Sequence, residues 1–318
     1  MVVKFSSSDF HQIYKPSYCE LRYWLLNVEK AEKKKVCAFD QLIMKLGVRH
    51  EKTQLDLIDH YVDLSNGTMA ERSRITNEQL KLSNVILYQP VLNANIEIGG
   101  EDCNLVGIPD FIIIENNKTI IRDVKLAKRI TEKDHPEILF QLQLYGLIFS
   151  LITSEPVNGL QVLAGDNKIV EVVNSGPDYV KNALLNLLRI TLLSVAPYSP
   201  VGVSKCNGCL YNESCWKDAV DKKDIALIPG VDQSLTLSLR EKKITDYESL
   251  LKNFNENSLS EFKRPWGTRL QKVGKKSVEI LRNASALLYN SEIVIKSPQI
   301  PKHDNYVMFD LEGLPPYV

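Results

Sequence analysis

The sequence predicts a mixed α/β core followed by a smaller helical region, and three observations carry that prediction. Apolar residues recur at a helical period over residues 38–62 and 135–153. Between them, residues 85–125 change to short apolar and alternating runs broken by turn residues, the pattern of strands. Beyond about residue 220 the texture shortens into brief helical segments. The expected division is a core at 1–220, a helical region at 221–290, and a linker with the start of a further element at 291–318.

Residues 16–28 read as a short helix opening at Pro16-Ser17, since proline suits the first helical turn. Residues 38–62 read as a longer helix: Leu42, Ile43, Leu46, Leu57, Ile58 and Tyr61 keep a helical period, with His50 on their side. A helix is expected near 70–83. Strands follow at 91–98 and 104–114, and Asn116-Asn117 supplies a hairpin turn into a strand at 119–125. A helix over 135–153, a hairpin of 160–164 and 168–173 across Gly165-Asp166-Asn167, and a helix over 178–193 complete a mixed sheet flanked by helices. Pro298–Pro301 reads as a linker and 306–312 as a final strand. No internal repeat or low-complexity tract is visible.

Apolar content of 44% and charged content of 25% are those of an ordinary globular chain. The amino terminus lacks a secretory pattern. The longest apolar run, Leu144–Ile152, is about half the roughly 18 residues of a membrane span. A cytosolic (cytoplasmic) protein with reduced thiols and no membrane is expected. Net charge is zero, so no global field favours a polyanion. The charge is uneven, however. Residues 263–282 hold seven basic side chains against Glu279 alone, a net charge of +6. A solvated helix face is the bland reading of such a run.

Gly107-Ile-Pro-Asp110 ends one expected strand and Asp123-Val-Lys125 lies on the next. Residues two apart in a strand share a face, so Asp123 and Lys125 project together. A hairpin partner can bring Asp110 beside Asp123. Carboxylates that close repel each other unless a divalent cation lies between them. A lysine beside that cation can orient or deprotonate a water, or stabilise charge growing on phosphorus. An isolated D-x-K tripeptide is usually surface strand; the preceding apolar strand and G-x-P-D set this one apart.

These residues resemble the PD-(D/E)xK nuclease superfamily, specifically its RecB-like branch. The resemblance implies a restriction-endonuclease-like core in which Asp110 and Asp123 ligate Mg²⁺ or Mn²⁺ and Lys125 is the catalytic lysine. Gly47-Val-Arg-His50-Glu51 matches the branch's histidine-bearing helix and makes His50 a third ligand, which favours manganese. Gln141-Leu-Gln-Leu-Tyr145 matches its Q-x-x-x-Y motif. The i, i+4 spacing puts Gln141 and Tyr145 on one helical face. In the family that face looks onto the active site and contacts the DNA strand or the lysine.

Four of the six cysteines are informative: Cys19 alone, then Cys206-Asn-Gly-Cys209 and Cys215. Four thiolates fit zinc or an iron–sulfur cluster, and spacing alone favours zinc. RecB-like nucleases of the CRISPR-associated and AddB types carry one cysteine before the core and three after it, around a 4Fe–4S cluster. Tyr18-Cys19-Glu-Leu-Arg22-Tyr23 and Cys215-Trp216 resemble their flanks, so the resemblance implies that cluster, as a structural staple. Cys37 and Cys103 read as ordinary core residues.

Ile225-Ala-Leu-Ile-Pro-Gly230-Val231 with Leu239 and Ile244-Thr245 resembles a helix–hairpin–helix element, whose turn amides grip DNA phosphates, although Lys243 stands where glycine usually does. Lys272-Val-Gly274-Lys-Lys276 is a second, weaker match. Met308-Phe-Asp310-Leu-Glu312 resembles the first strand of an RNase H-like exonuclease. A two-domain family joins a RecB-like nuclease to such a domain, and its amino-terminal part resembles the whole chain. Asp310 and Glu312 are then expected to be the stub of a truncated or split gene, not catalytic. The expected function is a metal-dependent DNA nuclease, an exonuclease on single-stranded ends, with a separate RNase H-like or helicase partner. The alternative is a catalytically inactive DNA-binding or scaffold module.

Overall fold

The computed structural model describes residues 2–32, 38–297, 299–307 and 309, which form two compact units, Met1–Lys222 and Lys223–Val318. The first opens with strand β1 (Val3–Ser6) and helices α1 (Ser7–Tyr14) and α2 (Glu20–Trp24), the latter running into a π turn over Leu25–Glu29. Next come α3 (Ala38–Leu55), β2 (Val62–Asp63), α4 (Met69–Gln79), β3 (Val85–Tyr88), β4 (Leu92–Ile98), β5 (Glu101–Gly107), β6 (Phe111–Glu115) and β7 (Lys118–Val124). Helix α5 (Pro136–Thr153) leads to β8 (Gly159–Leu163) and β9 (Ile169–Val172), followed by α6 (Pro177–Thr191), α7 (Val203–Cys206) and α8 (Asn212–Asp221).

A six-stranded mixed sheet runs β2-β3-β6-β7-β8-β9, and a three-stranded sheet runs β1-β5-β4. Strands β7 and β8 are parallel, which requires a crossover, and α5 makes it. This is the helix-flanked mixed sheet that the sequence predicts. One core gathers α5 and α6 with both sheets around Leu105, Ile112, Leu142, Ile148 and Leu160. A smaller one, of Tyr88, Phe111, Ile113, Val124 and Leu163, takes Leu55 and Ile58 against it.

Four differences from the expected elements bear on the site. Residues 104–114 form two strands in different sheets, because Pro109 has no amide to give to a ladder. The helix expected over 16–28 starts only after Cys19, and the strand and helix before it were not foreseen. The helix expected over 38–62 ends at Leu55, and Leu42, Ile43, Leu57 and Tyr61 are exposed. The apparent period ran across that end. Helix α5 is long and apolar enough to cross a membrane by length and composition alone, contrary to expectation. Ten of its residues are buried within the fold, so it serves as the core helix.

The second unit contains a 3₁₀ turn (Ile225–Leu227), α9 (Gln233–Glu241), α10 (Tyr247–Asn253), α11 (Glu256–Glu261), the antiparallel pair β10 (Lys263–Trp266) and β11 (Arg269–Lys272), and α12 (Lys276–Tyr289). Its core includes Ile225, Leu239, Leu250, Leu259 and Ile280. Lys243 takes φ of +63°, the left-handed conformation that glycine adopts freely. The β10–β11 hairpin was not foreseen, because its strands are basic and lack an apolar alternation. Tyr306, Val307 and Phe309 form no regular structure. Asp310 and Glu312 lie outside the described residues, as does Cys37.

Candidate active site

The site forms where the chain leaves β5, turns through Ile108-Pro109-Asp110 and enters β6. Phe111 pairs with Arg122 across β6–β7, so the next rung sets Asp110 beside Asp123. The Val124 amide donates to Asp110 Oδ2 at 2.7 Å. Both carboxylates are buried: Asp110 is 9% exposed and Asp123 1%. Lys125 follows on the same side as Asp123, and its ammonium pairs with Asp123 Oδ2. Its own amide continues the parallel ladder to the Leu163 carbonyl at 2.9 Å.

Burial pushes the Asp110 carboxyl well above the usual carboxylate range, and the charge of Asp123 pushes it further. Burial pulls the other way on Lys125, but the combined pull of Asp123 and Asp110 outweighs it and holds the ammonium above the ordinary lysine value. The three groups are therefore electrostatically one unit.

Three residues that sequence reasoning missed complete the polar wall. Gln89 follows β3 with φ of +54°, and its amide donates to the Asp110 carbonyl at 2.9 Å. Its Nε2 donates to Asp110 Oδ1 at 3.1 Å and to Glu51 Oε1 at 2.8 Å. The Tyr88 hydroxyl donates to the same Glu51 oxygen at 2.8 Å. Glu51 was within reach of the sequence, being adjacent to His50 in the quoted motif. Nothing local to Gln89 announces its approach to Asp110, because the approach is a tertiary event.

Helix α3 brings His50 to this neighbourhood. A Cβ placed on Gly47 would lie 3.9 Å from Leu126 Cδ1, so α3 passes beside the residue after Lys125. Farther along α3, Gln54 donates to Asn167 Oδ1 at 2.9 Å in the β8–β9 turn. The His50 Nε2 atom is buried and has no hydrogen-bond partner. Among the described residues, however, no group of three or more His, Cys, Asp or Glu side chains is set to hold a metal ion. The structure thus brings Asp110, Asp123 and Lys125 together and places an unpartnered His50 on the helix passing beside them, without a finished three-ligand cage.

Gln141 and Tyr145 share a face of α5, as their spacing predicts. Gln141 Nε2 donates to the Tyr145 hydroxyl at 2.6 Å. That hydroxyl lies 3.1 Å from the Ile108 carbonyl oxygen and 3.2 Å from Ser7 Oγ. Tyr145 is only 1% exposed. Buried and with its hydroxyl engaged, Tyr145 braces the turn that carries Asp110.

Cys19, Cys206, Cys209 and Cys215 line one small cavity together with Arg22, Lys205 and Tyr211. Burial, then the neighbouring Cys209, Cys19 and Cys206, push the Cys215 thiol up to about 11. Lys205 is buried, and its ammonium donates to Ser199 Oγ at 2.6 Å and the Pro200 carbonyl at 2.9 Å. Arg22 is buried too, its guanidinium donating to the Gln12, Ile13 and Ser17 carbonyls. Neither cation pairs with a carboxylate among the described residues. Cys103 is a buried core residue of β5, as expected.

A family model described as the PD-(D/E)XK nuclease superfamily matches residues 10–216, which include His50, Gln89, Asp110, Asp123, Lys125 and the four cysteines. No curated protein matches the chain by sequence. Among solved structures, one titled "Crystal structure of SSO0001" is similar at 17% identity and a TM-score of 0.39, over 67% of this chain and 85% of that one.

Proposed function

The chain belongs to the PD-(D/E)XK nuclease superfamily, and from that premise we propose that it is a metal-dependent deoxyribonuclease of the RecB-like type, acting on single-stranded ends. The observation that carries the reading is the juxtaposition of buried Asp110 and Asp123 with the Lys125 ammonium at one end of the β6–β7 pair. Two carboxylates set side by side away from water, one with its pKa driven up, fit a divalent cation better than any other partner. The buried, unpartnered His50 Nε2 fits the same ion as a third donor. Asp110, Asp123 and His50 would hold it. When bound, such a cation supplies Lewis acidity toward a phosphodiester and its attacking water.

The side chains then have separable tasks. Lys125, whose pKa is raised, keeps its proton at neutral pH and donates to negative charge growing on the phosphate oxygens. Gln89 and the Val124 amide fix the two oxygens of Asp110, so that its orientation does not depend on the ligand. Gln141 and Tyr145 set the position of the strand break beneath it.

The four cysteines extend the reading. They would hold a 4Fe–4S cluster that ties residue 19 to residues about 190 positions later, restricting the unfolded chain. What supports this is the shared cavity and the chemistry around it: two buried cations without carboxylates suit an anionic, four-thiolate group.

The decisive experiment compares wild type with Lys125→Ala on end-labelled single-stranded and duplex DNA in Mn²⁺. Retained binding with lost cleavage is the expected outcome, and undiminished cleavage by the variant would overturn the assignment. Iron and zinc quantified on anaerobically purified protein test the cysteine assignment separately.

A further inference from the structure

In the second unit the β10–β11 hairpin carries an exposed aromatic that the cleavage chemistry does not use. Trp266 ends β10 at the Gly267-Thr268 turn and is 59% exposed; Leu270, opposite Pro265, is 70% exposed. One face of the indole is already covered. The Arg264 guanidinium stands 4.7 Å from the ring centroid and is held by Asp232 at 2.8 Å. The Ser234 hydroxyl also donates to the Pro265 carbonyl, so β10 is tied to the start of α9 at two points. The indole is therefore backed by a fixed cation and presented on an anchored strand, which removes most of the ordering cost of binding to it.

The surrounding charge selects the ligand. Arg264 and Lys272 find acidic partners in Asp232 and Glu261. Lys263, Arg269, Lys275 and Lys276 form no ion pair among the described residues. Arg269 pairs across the strands with Trp266, so an uncompensated cation sits beside the open indole. An aromatic plane with a cation at its edge recognises a base together with its phosphate.

We propose that this hairpin is a stacking platform for an unpaired base of a nucleic-acid strand, with Trp266 as the plane and Arg269, its cross-strand partner on the same face, as the phosphate contact. For the class of ligand the proposal rests on the nuclease reading. It goes beyond that reading in giving the second unit a binding role that does not require the active site. In a duplex both faces of each base are covered by neighbours, so the platform discriminates in favour of single strands and frayed ends.

The test uses the full chain in chelator, titrated with a short oligothymidylate while tryptophan fluorescence and anisotropy are followed. Trp24 and Trp216, the other two tryptophans, remain as internal references. Wild type should show quenching, and Trp266→Ala should lose the quench and weaken binding about 5- to 150-fold, one base stack being worth ~1–3 kcal/mol. Trp266→Phe should restore most of the affinity. Arg269→Gln should flatten the salt dependence of binding, whereas Trp266→Ala should leave its slope unchanged. Unaltered affinity in Trp266→Ala, equal affinity for a blunt duplex, or a response to lipid vesicles in place of the oligonucleotide would each overturn the proposal. Cleavage in Mn²⁺ by wild type, with Trp266→Ala binding unaltered, would reject the platform alone. Quenching without cleavage under any cation would reject the nuclease reading alone.

Discussion

Gly107 and Tyr145 approach so closely that a Cβ on the glycine would lie 2.5 Å from Tyr145 Cδ1 and 3.3 Å from Ile148 Cδ1. The ring that excludes a side chain at 107 also carries the hydroxyl that meets the Ile108 carbonyl at 3.1 Å. Together the two residues define where β5 ends and how Asp110 enters the site. Gly107→Ala must displace a buried ring and is expected to cost about 1–3 kcal/mol of stability. It should lower cleavage by roughly 10²-fold through misplacement of Asp110. Tyr145→Phe keeps the ring and removes only the hydroxyl, so its stability cost should be about 1 kcal/mol. Chemical denaturation and single-turnover cleavage measure the two effects; a Gly107→Ala protein as active as wild type would refute the coupling.

Asp110 makes the cation-free protein pH-sensitive in a defined direction. The folded-state pKa of Asp110 lies above its unfolded value, chiefly through burial. Its contribution to stability is therefore complete below the unfolded value, near pH 4, and is lost as pH rises through the folded value. Asp110→Asn carries no such charge. In chelator its melting temperature should exceed that of wild type by a margin that widens from pH 4 to pH 8. Mn²⁺ should raise only the wild type and close the gap. A margin that narrows with rising pH would contradict this account.

The acidic pair, the lysine and the helix-flanked mixed sheet were legible because their signals are local or periodic. The hairpin turn at Asn116-Asn117 fixes the β6–β7 register, and that register alone brings Asp110 beside Asp123. What stayed hidden depends on distant packing. The strand over 104–114 looked continuous because apolar residues flank Pro109 on both sides, yet its halves belong to different sheets. The apolar stripe of α3 suggested a buried face. The part of the helix that meets the fold is instead Gly47, Glu51, Gln54 and Leu55, half of it polar where it borders the site.

Gln89 links Glu51 to Asp110, which makes it a positioning residue with a measurable consequence. Gln89→Leu removes both donor contacts while leaving Asp110, Asp123 and His50 unchanged. It should weaken Mn²⁺ binding about 10–100-fold, the usual effect of losing an outer partner of a ligating carboxylate. Titration calorimetry reads that loss directly. At saturating Mn²⁺ most cleavage should return, because the residue orients a ligand and does not touch the phosphate. Metal affinity equal to that of wild type would show that Asp110 needs no such brace.

Lys205 offers a test in which two readouts move in opposite directions. Its ammonium is buried and held by a hydroxyl and a carbonyl; burial lowers its pKa, and the nearby Cys19, Cys206 and Cys215 push it back up. Without thiolates as counter-charge, a buried cation of this kind weakens the fold. Lys205→Met should therefore raise the thermal stability of the metal-free protein by about 1–3 kcal/mol. With four thiolates present the same cation becomes their neutralising partner. The variant should then retain less iron after purification and lose it faster to a chelator. Raised apo stability with undiminished iron retention would separate the lysine from the cysteine site, and lowered apo stability would show that the hydroxyl and carbonyl already satisfy it.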